Sequence, residues 1–423
     1  MKLLHTSDWH LGQSLMKVSR EREHRLFLDF LVSTVRQEAI DTVIVAGDIF
    51  DTTTPASYAR ELYHEAIRGL KQAGLCNLVL VGGNHDSVAV LDESRALLGL
   101  LNVIVVSSAP QRPEDAVFDL FNHAGEVIGL FCAVPFLRLR DVLDSLPGQD
   151  ASQRQARLQA AIASYYQACY EAALIRRQDR TIPIVGSGHL TTVGGVASES
   201  VREIYIGTLD AFPGEAFPPF DYLALGHLHR AQAVKNAPRI RYSGAPIPMS
   251  FDEVGQQKVL LKVVLGQEAD AEAQLPGEGR IPASLYDIPI PLFQSLQVIR
   301  GAADSVLSRC VDLARHGESV WLSLELEGEV SMTVFRQQLD QRIADSRLQV
   351  LCVRRVRQSE SKAIENRHSG ELLQHLQPQE VFERRLASEG LEDADRRTLT
   401  TLFAQLMERV KEENGHENSE TAS

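Results

Sequence analysis

The sequence predicts a layered α/β protein followed by a smaller α/β domain. Three observations carry that reading. Short β-rich runs alternate with helical patterns over the first 265 residues. Several of these runs are apolar throughout, as strands are when both faces of their sheet are covered. A second, compact β-α-β-α-β pattern follows a polar stretch rich in proline.

The strands expected in the first part are Leu3–His5, Thr42–Val45, Leu78–Val81, Val103–Val106, Val127–Val134, Ile184–Gly186, Tyr222–Leu225, Arg239–Tyr242 and Val259–Val264. A helix is expected over about 22–38, where Leu26, Phe27, Phe30, Leu31 and Val35 share a face. A second is expected to start at Thr54-Pro55, a cap with proline at the first helical position, and to stop at Gly74. A third covers about 152–177. Gly266–Pro291 holds prolines 276, 282, 289 and 291 and reads as a linker. The second pattern runs Leu296–Ile299, Asp304–Arg315, Val320–Leu326, Thr333–Ala344 and Leu348–Val356. These boundaries give a first domain over 1–270, a small domain over 285–357, a linker over 358–376, a helix pair over 377–411 and a disordered tail over 412–423. In the helix pair, Val381 and Phe382 mark one apolar face. Leu399, Leu402, Phe403, Leu406 and Val410 form a continuous stripe on the other helix. Two short helices have little of their own to bury that stripe. They either fold back on the body or dock a partner helix or coiled coil.

The chain has 423 residues, 44% of them hydrophobic and 23% charged, which permits a large core. No run approaches the ~20 apolar residues of a membrane-spanning helix. The N-terminus turns polar after Leu3-Leu4, too soon for the apolar region of a signal peptide. The five cysteines are scattered without metal-type spacing, which points to reduced core thiols and a cytoplasmic location. The net charge is −13, spread evenly along the chain. A protein that grips DNA with its whole surface is normally basic, so any nucleic-acid role rests on local patches, bound metal or a partner.

Five segments stand out, each at the end of an expected strand: Asp8-Trp9-His10, Gly47-Asp48-Ile49-Phe50-Asp51, Gly83-Asn84-His85-Asp86, Gly188-His189 and Gly226-His227-Leu228-His229. A buried strand fixes the backbone, and the loop at its C-terminal end projects side chains into a shared crevice. Taken singly, Asp-x-His, Gly-Asp or a strand-end histidine are weak signals that also fit turns or packing residues. The ordered set is specific. It offers Asp8, His10, Asp48, Asn84, His189, His227 and His229 as metal ligands, with His85 and Asp86 left for other roles. Seven ligands exceed one tetrahedral site and suit two ions sharing a bridging carboxylate, a common device for phosphoryl transfer. Mixed imidazole and carboxylate donors favour manganese, iron or zinc over magnesium.

In this order the motifs resemble the calcineurin-like metallophosphoesterase superfamily. The match extends through His5-Thr6-Ser7-Asp8-Trp9-His10-Leu11-Gly12, Gly188-His189-Leu190-Thr191-Thr192, Arg202-Glu203-Ile204-Tyr205-Ile206-Gly207-Thr208-Leu209-Asp210 and Tyr242-Ser243-Gly244-Ala245-Pro246-Ile247-Pro248. In these stretches the chain resembles the SbcD branch of bacterial nuclease subunits, relatives of the Mre-type repair nucleases, over essentially its whole length. The resemblance implies a four-layer αββα sandwich, followed by a small α+β cap domain and a C-terminal helix pair. It implies one ion on Asp8, His10 and His229, another on Asn84, His189 and His227, and Asp48 bridging them. It places His85 beside the ions as a catalytic group, with Asp86 orienting its ring and Asp51 as a candidate partner for a histidine ligand. The implied activity is metal-dependent hydrolysis of DNA, exonucleolytic at duplex ends and endonucleolytic on single strands and hairpins, with Mn2+ the ion the ligand set favours. It would act within a repair and recombination complex with an SbcC-like ATPase docked on the terminal helices. A homodimer within a heterotetramer is also implied. The sequence has no Gly-x-x-x-x-Gly-Lys-[Ser/Thr] loop of its own.

Candidate DNA contacts are Lys17, Arg20, Arg22, Arg138 and Arg140, each of which also reads as an ordinary solvated charge. A phosphatase or cyclic-nucleotide phosphodiesterase with the same ligand set is the rival reading, because these motifs bind phosphate and not the rest of a substrate.

Overall fold

The computed structural model describes residues 1–142, 151–201, 211–277 and 279–356, together with 400 and 403. The chain divides into two units, Met1–Val356 and Arg357–Ser423. In the second unit only Thr400 and Phe403 are described, both helical. Apart from those two residues, the helix pair, its linker and its tail lie outside the described residues, as do Arg202–Asp210.

In chain order the strands are β1 (Lys2–Thr6), β2 (Ser14–Leu15), β3 (Val18–Ser19), β4 (Thr42–Ala46), β5 (Asn77–Val81), β6 (Val103–Val106), β7 (Val117–Phe121), β8 (Val127–Cys132), β9 (Ile184–His189), β10 (Tyr222–Gly226), β11 (Gln232–Val234), β12 (Ala237–Tyr242), β13 (Val259–Leu265), β14 (Ala283–Pro289), β15 (Ser295–Ala302), β16 (Val320–Glu327) and β17 (Leu348–Val356). The helices are α1 (Glu21–Gln37), α2 (Ser57–Gln72), α3 (Val88–Asp92), α4 (Arg95–Gly99), α5 (Leu139–Val142), α6 (Ala151–Arg177), α7 (Ala303–His316) and α8 (Met332–Ile343). No described helix is long and apolar enough to cross a membrane.

Two six-stranded sheets stack face to face, ordered β14-β13-β1-β4-β5-β6 and β11-β12-β10-β9-β8-β7. The strands that lead into the five motifs are parallel within each sheet. Leu3 pairs with Thr42, Thr42 with Asn77 and Tyr222 with Val185. Their C-terminal ends therefore open on one edge of the sandwich. Between the sheets lies an apolar layer that includes Leu3, Ile44, Val79, Phe131, Tyr222 and Ala224. Burial of β4 and β5 on both faces explains their uninterrupted apolar sequences.

The outer faces are covered by helices. α1 and α2 bury Phe27, Leu31, Val35, Leu62, Ile67 and Leu70 against the first sheet. α6 buries Leu158, Ile162, Tyr166, Cys169 and Ala173, one helical stripe, against the second. The four layers are αββα. The helix expected from Thr54-Pro55 begins instead at Ser57, with Ala56 before it. The predicted linker over Gly266–Pro291 is corrected as well. β14 pairs along β13 from Val259↔Pro289 to Leu265↔Ala283, so the first sheet continues to Pro289 and residues 285–289 belong to it rather than to the small domain. Its proline is tolerated because β14 is an edge strand.

The small domain is a parallel sheet, β15-β16-β17, with α7 and α8 packed on Ile299, Leu322, Leu324 and Leu326. Leu296 and Trp321 from this domain meet Leu15 of the β2–β3 hairpin, which joins the two domains through a small apolar cluster. All five cysteines are free thiols.

Candidate metal centre

The loop after β1 and the loop after β4 run side by side past the ends of their strands. Asp8 N donates to the Gly47 carbonyl (3.0 Å), His10 N to Asp48 (3.0 Å) and Leu11 N to Ile49 (2.9 Å). The pairing holds Asp8 (φ 53°), His10 (φ 46°) and Asp48 (φ 50°) in the left-handed region; His227 also has positive φ (99°). Such conformations cost free energy in non-glycine residues and collect where function demands a fixed geometry.

Glycine lets the backbones come close enough. A Cβ on Gly226 would lie 1.9 Å from the Ala46 carbonyl oxygen, where β10 meets β4. A Cβ on Gly47 would lie 2.1 Å from His189 Nδ1. The two motif-bearing sheets touch at these points, and no larger residue fits.

All seven candidate ligands converge there. Asp8, His10 and His229 bring one donor atom each within 4.8 Å of one another, and Asp48, His189 and His227 do the same. Asp48 Oδ2 stands between the clusters, 3.7 Å from His10 Nε2 and 3.2 Å from His189 Nε2. Asn84 Oδ1 lies 2.9 Å from His189 Nε2. His189 Nδ1–H donates to the Ala46 carbonyl (3.0 Å), which turns Nε2 toward the cluster. Asp8 Oδ1 accepts from the His227 backbone N–H (2.8 Å) and ties the two sheets together.

The electrostatics call for positive charge. Burial disfavours the charged imidazoles, yet Asp48 pulls His189 up to about 9. Asp51, Asp48 and Asp8 likewise outweigh burial at His10 and raise it. Burial would raise Asp48, but His189, His10 and His85 hold it well below its usual range. Burial and the neighbouring His189 lower His227. Buried carboxylates flanked by imidazole nitrogens in two clusters fit two divalent cations, whose binding releases such protons.

His85 lies beside this set. Its ring stacks edge-on to His10 at 4.8 Å between centroids. Its Nδ1–H donates to the Asp51 carbonyl (2.7 Å), and its backbone N–H donates to Asp48 Oδ1 (2.9 Å). The expectation that Asp86 orients the His85 ring is corrected. The Asp86 carboxylate accepts the backbone N–H groups of Gly83 (2.8 Å), Phe50 (2.8 Å) and Ile49 (3.1 Å). It braces the Asp48 loop, while the Asp51 carbonyl holds the ring. Burial, then Asp48, pushes Asp86 up to about 6. The Asp51 carboxylate is 3.3 Å from His10 Nδ1.

Arg20 is a second correction. It is fully buried, bonded through Nη2 to Glu23 (2.6 Å) and through Nη1 to the Pro248 carbonyl (2.7 Å), and it stacks 5.6 Å over Trp321. It bridges the two domains and faces no solvent. Lys17, at the tip of the β2–β3 turn, Arg22 and Arg140 are exposed. Arg138 is half-buried over Phe136 (5.8 Å) and donates to the Asp86 carbonyl (3.3 Å). Val381, Phe382, Leu399, Leu402, Leu406 and Val410 lie outside the described residues.

Sequence reasoning missed two neighbours of His229. Ser200 Oγ is 2.7 Å and Glu253 Oε1 3.4 Å from its Nδ1. His5 bonds Tyr222 OH (2.9 Å) across the inter-sheet layer.

Residues 1–231, more than half of the chain, match the calcineurin-like phosphoesterase family model. The SbcD subunit of the nuclease SbcCD from Escherichia coli K12 is 41% identical over 406 residues, covering 95% of this chain and 97% of that protein. The chain belongs to the SbcD family of calcineurin-like phosphoesterases. Residues 292–390 match the type 5 capsule protein repressor C-terminal domain. SbcD relatives from Rhodobacter capsulatus (37% over 285 residues, 65% of this chain and 69% of theirs) and Bacillus subtilis (31% over 293 residues, 66% and 71%) agree.

Proposed function

We propose that this chain is the nuclease subunit of an SbcC–SbcD-type complex and hydrolyses phosphodiester bonds of DNA. It acts on duplex ends as an exonuclease and on single strands and hairpins as an endonuclease. One observation carries the reading: two ligand clusters share Asp48, with His85 beside them, in a chain 41% identical over 95% of its length to a curated SbcD nuclease subunit. Asp8, His10 and His229 would hold one ion and Asn84, His189 and His227 the other, with Asp48 shared between them. Mixed nitrogen and oxygen donors favour manganese, iron or zinc over magnesium, and Mn2+ is the ion proposed here. Two bound divalent ions supply Lewis acidity and offset charge on the phosphate.

The protein's own groups do the rest. The Asp51 carbonyl accepts a hydrogen bond from His85 Nδ1–H, which leaves Nε2 facing the reaction; when that nitrogen also carries a proton it hydrogen-bonds the transferring phosphate or gives the proton to the leaving oxygen. Arg138, anchored on Phe136 and the Asp86 carbonyl, and the exposed Lys17, Arg22 and Arg140 serve as phosphate contacts. The terminal helices dock an SbcC-like ATPase through Val381, Phe382 and the Leu399–Val410 stripe. The chain forms a homodimer within a heterotetramer and works in the cytoplasm.

The test is a nuclease assay on the purified chain with linear duplex, single-stranded and hairpin DNA, in Mn2+, Mg2+ or chelator. Mn2+-dependent cleavage abolished by Asp48→Asn is expected. A metal-loaded chain that leaves DNA intact even with the ATPase present, yet turns over an aryl phosphate, would overturn the reading in favour of a phosphatase.

A further inference from the structure

Glu253 lies in the core at 0% exposure, in a loop that follows the first domain's last parallel strand. Nothing about its local sequence marks it as functional. The structure surrounds it with donors. Ser198 Oγ and Ser200 Oγ each donate to Oε1 (2.8 Å), while Lys258 Nζ (2.6 Å) and Met249 N (3.0 Å) donate to Oε2. These four donors fix its position.

One of its donors reaches the metal cluster. Ser200 Oγ is 2.7 Å from His229 Nδ1, and Glu253 Oε1 itself is 3.4 Å from the same nitrogen. Across the ring, His229 Nε2 faces His10 Nε2 at 3.2 Å. His229 can offer its Nε2 lone pair to a cation only if Nδ1 carries the proton. Nδ1–H donates to Ser200 Oγ, and Ser200 O–H donates to Glu253. Ser200 Oγ also lies 3.0 Å from Ser198 Oγ, so the two hydroxyls share the Glu253 oxygen. Lys258 completes the arrangement by balancing the charge and donating to the His229 carbonyl (3.0 Å).

We infer that Glu253, acting through Ser200, is a positioning residue that sets the His229 tautomer and ring orientation, and thereby the affinity of the ion held by Asp8, His10 and His229. The inference rests on the two-ion reading given above. Outer partners of ligating histidines commonly govern metal affinity in this way. Ser198 is the comparison. It donates to the same Oε1 and touches Ser200 Oγ (3.0 Å), but makes no bond to His229.

The experiment is a Mn2+ titration of the full-length chain by calorimetry, with free Mn2+ counted by electron paramagnetic resonance. The unmodified chain is expected to bind two ions. Glu253→Gln and Ser200→Ala should each weaken one ion ~10–100-fold and leave the other nearly unchanged. Ser198→Ala, which removes no bond to His229, should weaken that ion far less than Ser200→Ala. If Glu253→Gln does not fold, Ser200→Ala carries the same test. Unchanged affinity in Ser200→Ala, or an equal loss in Ser198→Ala, would overturn the inference. An unmodified chain that binds fewer than two ions would overturn the two-ion reading with it. Two ions bound without DNA cleavage would refute the substrate alone, and the differential affinities would still support the role of Glu253.

Discussion

Gly47→Ala tests whether the centre depends on close backbone approach. Gly47 sits at φ 91°, and a Cβ there would lie 2.1 Å from His189 Nδ1 and 2.7 Å from Cγ. The left-handed conformation costs a non-glycine residue roughly 1–2 kcal/mol. To clear the methyl, the His189 ring must move by more than 1 Å, by the difference between 2.1 Å and an ordinary contact. That movement breaks the bond to the Ala46 carbonyl and leaves a buried group unpaired, about 1–3 kcal/mol. Overpacking adds roughly 1–3 kcal/mol more. The total, roughly 3–8 kcal/mol, is a large share of a typical folding free energy. Gly74→Ala is the matched control. Its φ is 90°, yet its Cβ would meet only His123 Cε1 at 3.9 Å, so it bears the conformational cost without the clash. Thermal and urea denaturation of both variants, with Mn2+ titration, gives the comparison. Gly74→Ala should lose ~1–2 kcal/mol and keep its metal. Gly47→Ala should lose several times that and bind metal poorly. Equal stability of the two variants, with Mn2+ binding intact in Gly47→Ala, would refute the reasoning.

Other outcomes follow from the same geometry. His85→Asn should keep both ions and lose cleavage by ~10²–10⁴-fold, measured as kcat beside metal content; unaltered kcat would remove His85 from the chemistry. Arg20→Met should destabilise the fold by ~3–5 kcal/mol by stranding the buried Glu23, while the salt slope of DNA binding by any folded fraction stays unchanged. Lys17→Glu should flatten that slope without altering stability. His5 supplies a pH test. Burial lowers it from 6.5 to about 3, so it stays neutral in the folded chain while the unfolded chain takes up a proton. Stability should therefore be fully present above pH 6.5 and fall as pH drops toward 3, at up to ~1.4 kcal/mol per pH unit from this residue. His5→Asn should remove that contribution from the slope, read as denaturation midpoints between pH 7 and 4.

The parallel strands were legible because burial on both faces writes an uninterrupted apolar run, as in Thr42–Ala46 and Asn77–Val81. β14 was not, because an edge strand tolerates Asp287 and Pro289 and so reads like linker. β7 was hidden for the same reason, being another edge strand with Asp119 in its middle. The candidate ligands were legible because each follows such a strand, most with a glycine beside them. Arg20 was misread because a basic residue in a loop looks solvated, and only contacts with Pro248 and Trp321, more than two hundred residues away, bury it. Ser200 and Glu253 were invisible because their roles exist only where two loops from distant parts of the chain meet His229. The Asp51 carbonyl that holds His85 is a backbone group, and no side-chain motif announces it.

The seven candidate ligands are divided between the sheets. Asp8, His10, Asp48 and Asn84 belong to one, and His189, His227 and His229 to the other. The apolar layer beneath them is thus a spacer as well as a core. Its thickness, set by residues such as Ala46, Ala224 and Tyr222, determines how far the two ligand rows stand apart. A methyl group added or removed at those positions acts as a shim under the reaction centre. The spacing of the two candidate ligand rows is therefore set from inside the sandwich, with every ligand left in place.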